Sequence, residues 1–218
     1  MTIPTTPIAP LKLAVLGATG MAGSRIVAEA LDRGHAVTGF ARRHDGQEAA
    51  AERPGLTRVT ADVSAAATLE QAVDGTDAVV SALPGRAVLP ILDTLAGLAR
   101  ARQRRLLFVG GAGSLLLPSG ERVIDQPGFR DEWKPEASAH VELLDALRAL
   151  PDDADWTFLS PSALFTPGER TGVFRLGGDE LLTDAEGDSR ISGEDYAAAL
   201  LDEIERPAHV RRRFTVGY

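Results

Sequence analysis

Six strongly apolar runs recur along the chain: LKLAVLG (11–17), AVTGFA (36–41), LTRVTA (56–61), DAVVSAL (77–83), RLLFVG (105–110) and WTFLS (156–160). Between them, near 21–33, 66–74, 87–102 and 136–150, apolar positions return every three to four residues, the spacing of amphipathic helices. Strands this continuously apolar have no wet face, so the alternation predicts a parallel sheet covered by helices on both sides. Right-handed crossovers then favour the doubly wound order 3-2-1-4-5-6, which is the Rossmann-type α/β class.

After residue 160 the rhythm changes, and a small hairpin-helix-strand extension is expected. VFRLGGDELLTD (173–184) sets a Gly-Gly-Asp turn between two short extended runs and predicts a hairpin. Ser192, with Asp195 three residues on, resembles a capping box for a helix to about Glu205, with Ala197, Leu200, Leu201 and Ile204 on one face. RRRFTVGY (211–218) reads as a last strand at a sheet edge, where it could serve a homodimer. Two long connections, 111–135 and 161–172, follow strand ends on the side where open α/β sheets bind ligands.

Composition narrows the chemistry. The 218 residues fit a single domain over 11–218, preceded by a flexible leader (1–10) whose three prolines do not resemble a secretory signal. A net charge of −8 and a pI near 5.0 argue against a nucleic-acid or anionic-membrane partner. No apolar run approaches the roughly 18 residues of a membrane helix, and a cytoplasmic location is expected. With no cysteine, disulfides and thiolate chemistry are excluded, and no metal-ligand spacing is present. The only lysines are Lys12 and Lys134, and the only tyrosines Tyr196 and Tyr218.

The stretch GATGMAG (17–23) places Gly17, Gly20 and Gly23 between the first strand and the first helix, with Thr19 and Met21 inside the turn. Gly17 suits a sharp turn, Gly20 lets backbone approach a pyrophosphate, and Gly23 lets the helix pack close to the sheet. The helix N-terminus offers the anion its unpaired N–H groups. At the end of the second strand, where an acidic residue would select NAD(H), stand Arg42 and Arg43. Two guanidiniums suit a 2′-phosphate, so NADP(H) is expected over NAD(H).

GATGMAG, RGHAVTGFAR (33–42), Asp62-Val63, VVSALPG (79–85), VGGAGSL (109–115), TPGERTGVFRLGGDELL (166–182) and SGEDYAAALLDEIERPAH (192–209) together carry a resemblance over nearly the whole chain. The sequence resembles an atypical short-chain dehydrogenase/reductase of the NAD(P)H-binding, NADH-flavin reductase branch, related to NmrA-like and biliverdin/flavin reductase-like proteins. By that resemblance Asp62 and Val63 would sit at the adenine. Ser81, Ala82 and Leu83 would line the ribose side, and Gly110, Gly111 and Ala112 would border the nicotinamide.

Relatives that reduce carbonyls use a Tyr-x-x-x-Lys pair, which this chain cannot build: Leu200 lies four residues after Tyr196, and Trp133 precedes Lys134. Hydride transfer to a flavin, quinone or similar conjugated acceptor needs mainly stacking and orientation. Ser114 is the candidate hydroxyl for touching the acceptor or the nicotinamide carboxamide. Leu115, Leu116, Leu117, Phe129 and Trp133 could cover a planar substrate, and Arg170 and Arg175 could meet an anionic one. His140 and Lys134 read as a surface histidine and a solvated lysine. The alternative function is a noncatalytic NADP(H)-sensing protein of NmrA-like type.

Overall fold

The structure is a computed structural model, and it describes residues 9–44 and 53–218. Most of the leader expected at 1–10 therefore lies outside the described residues. Strands β1 (Lys12–Leu16), β2 (Ala36–Ala41), β3 (Leu56–Thr60), β4 (Ala78–Ser81), β5 (Arg105–Val109) and β6 (Trp156–Ser160) form the parallel part of the sheet. Helices α1 (Met21–Asp32), α2 (Ala66–Val73), α3 (Gly85–Val88), α4 (Leu92–Ala101) and α5 (Lys134–Arg148) connect them. Beyond β6 come β7 (Leu164–Thr166), β8 (Arg175–Gly177), β9 (Arg190–Ser192), α6 (Gly193–Glu205) and β10 (Arg212–Gly217). The main sheet runs β3-β2-β1-β4-β5-β6-β10-β8, so the doubly wound order is present and is extended by two strands.

Side-chain alternation along β1 divides the core. Leu13 and Val15 join Ile26 of α1 and Tyr196, Leu200 and Leu201 of α6 on one face. Ala14 and Leu16 join Leu69 of α2, Leu95 of α4 and Leu143 of α5 on the other. Both faces being dry explains why these strands lack polar alternation. The stretch predicted as a helix near 87–102 is broken: α3 and α4 are separated by a 3₁₀ turn, Leu89–Ile91, containing Pro90. Proline has no N–H to continue the ladder, and it sits where the second helix starts afresh.

The C-terminal extension differs from expectation at two points. β10 pairs in parallel with β6 and antiparallel with β8, so it is an interior strand and β8 occupies the edge. Its arginine-rich start is compatible with this position because buried Arg213 ion-pairs with Asp179. The expected hairpin is also absent. After β8 the chain turns to the long loop instead, with Leu116 N–H donating to the Asp179 carbonyl and Leu181 N–H to that of Leu116, both at 2.8 Å.

The helix cap at Ser192 is present. Its Oγ accepts from Asp195 N–H at 3.0 Å, while the hydroxyl of Tyr218 takes the place of the reciprocal half of a capping box by accepting from Ser192 N–H. Asp195 is thereby released to bind Thr171 and the Gly172 N–H.

Candidate cofactor site

The turn after β1 is built by two close approaches. Gly17 has φ +83°, and a Cβ there would lie 2.8 Å from the Ala82 carbonyl oxygen. At Gly23 a Cβ would meet the Gly17 oxygen at 2.1 Å, so a methyl group would drive the helix off the turn. Gly17 and Ala18 N–H groups both donate to Phe40 O, which ties the turn to the end of β2. Gly20 is the N-cap of α1 and supplies no side-chain cap, and the first turn holds no acidic residue. The helix dipole and the first N–H groups are thus directed at an incoming anion.

A cleft of about 580 Å³ opens at this turn along the carboxyl ends of the strands. Of the residues singled out in the sequence, Gly17, Thr19, Gly20, Arg42, Asp62, Val63, Ala82 and Leu83 line it. Its volume suits a ligand-sized site, and its walls are apolar apart from the turn backbone and a few charged groups. Asp62 accepts from Ser64 N–H at 2.9 Å. That bond, aided by the Ser64 side chain and the nearby Arg42 charge, holds the carboxyl below its usual range.

Other predicted residues stand behind or beside the cleft. Met21 opens α1 and Gly23 lies within it. Arg43 is exposed and outside the cleft lining. Ser81 ends β4 with a buried hydroxyl that has no hydrogen-bond partner among the described residues. Gly110 lies against the Phe158 ring and Gly111 against His140, while Ala112 begins a 3₁₀ turn.

Ser114 is placed elsewhere: its Oγ accepts from Arg213 at 3.4 Å and borders a separate cavity with Asp179 and Arg148. Of the proposed covering side chains, Leu115 is fully buried, whereas Trp133 is exposed and packs edge-on to Phe129. Arg170 binds Glu29 with two 2.7 Å bonds, and Arg175 reaches the carbonyls of Thr183 and Tyr218, so both are committed within the fold.

His140 is buried rather than on the helix surface, and burial lowers its pKa against the attraction of Glu136 at 3.2 Å. Lys134 pairs with Asp131 at 2.7 Å. Arg86, which the sequence reading passed over, lines the cleft with its guanidinium 3.6 Å from Glu136. The only local signal was its place after Pro84-Gly85 at the end of β4, and an isolated arginine carries no motif.

These features fit a dinucleotide. Gly17 and Gly23 let the turn and α1 close tightly on the sheet, which leaves the start of α1 facing the cleft, and cationic Arg42 and Arg86 line that cleft. Gly17, Thr19 and Gly20, which line the cleft, would hold the diphosphate, and the Asp62-Val63 segment would border the adenine.

Comparison with known proteins shows the family to which this fold belongs. A family model described as NAD(P)H-binding matches residues 17–207. A "putative exported protein" from Burkholderia pseudomallei is 40% identical, with a TM-score of 0.84 over 95% of this chain and 100% of that one. A "putative epimerase" from Bacteroides thetaiotaomicron is 38% identical, with a TM-score of 0.87 over 96% and 97% of the two chains. A "putative NADH-flavin reductase" from Streptococcus pneumoniae is 35% identical, with a TM-score of 0.81 over 95% and 99%. Among the described residues no helix is long and apolar enough to cross a membrane. With its glycine turn, doubly wound sheet and cleft at the carboxyl ends of the strands, the chain belongs to the NAD(P)H-binding family.

Proposed function

We propose that the protein is a cytoplasmic NADPH-dependent reductase that passes hydride to a flavin, quinone or similar conjugated acceptor. The observation that carries this reading is the position of Tyr196. Its hydroxyl is fully buried and donates to the Leu159 carbonyl at 2.7 Å, and burial raises its pKa far above the ordinary value. The side chain that would protonate an alkoxide in a carbonyl reductase is therefore locked in the core. Among the described residues, the cleft lining contains no tyrosine, lysine or histidine. General-acid catalysis of carbonyl reduction needs a protonated donor, and the one carboxylate of this lining, Asp62, has its pKa lowered by the Ser64 N–H bond.

When bound, the reduced nicotinamide supplies a hydride, the acceptor takes it with both electrons, and water supplies the accompanying proton. The residues of this chain bind and orient. The turn backbone fixes the diphosphate, Arg42 grips a 2′-phosphate, and Ala82 and Leu83 border the ribose. The "putative NADH-flavin reductase" name of the Streptococcus relative supports the flavin-reductase part of this reading.

The test is loss of NADPH absorbance with FMN, riboflavin and a quinone series. Turnover well above the protein-free rate is expected. Tight binding of NADP⁺ and NADPH with no turnover on any acceptor would replace the reductase reading with the NADP(H) sensor.

A further inference from the structure

Glu136 stands outside the dinucleotide cleft, on the first turn of α5, yet its contacts reach the segment that forms one wall of it. Leu83, Pro84, Arg86 and Ala87 line the cleft, and Gly85 between them donates its N–H to Glu136 Oε1 at 2.5 Å. Glu136 Oε2 faces Arg86 Nε at 3.6 Å. Resting on the coenzyme reading of the cleft and not on the identity of the acceptor, we propose that Glu136 is a positioning residue: it fixes the wall after β4 and aims Arg86 at the diphosphate common to NADPH and NADH.

The wall needs a hold from outside. α3 has only four residues, and its N-cap, Pro84, supplies no side-chain acceptor, so the Gly85 N–H must be satisfied from elsewhere. Its acceptor comes from 51 residues along the chain. The turn is also pressed onto α5, because a Cβ on Gly85 would lie 2.9 Å from the Ala139 carbonyl carbon and from the His140 nitrogen. Backbone contact and carboxylate together set the residues on either side of Gly85, which are the ones that face the cleft.

Arg86 is placed for an anion different from the one expected at Arg42. β1 lies between β2 and β4 in the sheet, so Arg42 after β2 and Arg86 after β4 flank the glycine turn from opposite sides. The turn abuts the end of β4, where a Cβ on Gly17 would lie 2.8 Å from the Ala82 oxygen. With Arg42 assigned to the 2′-phosphate, the cation on the β4 side is left for the diphosphate, whose negative charge the neutral N–H groups of the turn do not balance.

Glu136 Oε2 is buried without a hydrogen-bond partner, an arrangement that costs free energy until a donor closes on it. Arg86 is the donor at hand: its side chain is 74% exposed, and Glu136 is its one ion-pair partner among the described residues. A guanidinium is a rigid fork of N–H groups, so its Nε edge can bind the carboxylate while its terminal nitrogens bind phosphoryl oxygens.

The experiment is a double-mutant cycle with Arg86→Ala, Glu136→Gln and the two together, read as the Kd of NADPH and of NADH by coenzyme-fluorescence titration. At about pH 7.5 His140, which lies 3.2 Å from Glu136 Oε1 and has its pKa lowered by burial, is neutral with or without the carboxylate charge. Glutamine keeps an oxygen for the Gly85 N–H, so the wall stays and only the hold on Arg86 is lost. Arg86→Ala is expected to weaken both coenzymes alike by about tenfold, and Glu136→Gln by about threefold, with no further loss when it is added to Arg86→Ala. A Glu136→Gln loss that persists in the Arg86→Ala background makes the carboxylate a structural support alone, and unchanged or tighter binding makes it a competitor for Arg86; either overturns the proposal. A loss confined to NADPH in Arg86→Ala puts that arginine at the 2′-phosphate and overturns it too. Wild-type protein that binds neither coenzyme overturns the coenzyme reading itself.

Discussion

The Tyr196 hydroxyl and the Gly110 N–H converge on one acceptor, the Leu159 carbonyl, at 2.7 and 2.8 Å. A phenol from α6 thereby helps to fix the junction between the ends of β5 and β6. Its task is architectural. Tyr196→Phe leaves the carbonyl with the Gly110 donor, so a stability loss of about 1 kcal/mol is expected from urea unfolding. Turnover should stay within about twofold of wild type. A loss of activity far beyond the loss of stability would return the tyrosine to the reaction.

Arg42 is expected to set coenzyme choice. Charge-assisted bonds to a phosphate are worth about 1.5–3 kcal/mol, so Arg42→Ala should weaken NADPH binding by about tenfold to a hundredfold and leave NADH nearly untouched. Fluorescence titration of both coenzymes checks this, and an equal loss for the two refutes the phosphate role.

The glycine turn was legible because its chemistry is local: strand, turn and helix follow one another, and the pattern states which backbone atoms must come close. The same holds for the Ser192–Asp195 cap. What escaped was set by partners distant in the chain. Nothing near Arg213 announces Asp179, 34 residues away, so a strand beginning with three arginines read as an edge. The Gly-Gly-Asp turn before 180–182 suggested a hairpin, but the backbone partners of Asp179 and Leu181 lie at Leu116 in another loop. His140 looked solvated because its cover comes from neighbours such as Gly111 and Phe158.

Gly23→Ala tests the packing of the turn. The new methyl would lie 2.1 Å from a backbone oxygen that cannot rotate away, so α1 must shift outward. A stability loss of about 1–3 kcal/mol or more is expected, together with at least about tenfold weaker NADPH binding. Thermal melts and coenzyme titration together check it. Unchanged affinity would mean that the helix end does not seat the diphosphate.

His140 predicts a pH dependence of stability. Burial lowers its pKa in the folded chain, so below the unfolded value of about 6.5 the unfolded chain binds more protons. Stability should therefore be full above that value and fall as pH drops through the folded pKa. Urea midpoints at about pH 7.5 and about pH 5.5 should show the decline, and His140→Gln should flatten it. An identical slope in the variant would assign the effect to other groups.

Because Ser192 N–H donates to the Tyr218 hydroxyl, the start of α6 is held by a residue that follows β10. Helix and sheet end are thereby one cooperative unit, and their amides should lose hydrogen-exchange protection together rather than in turn.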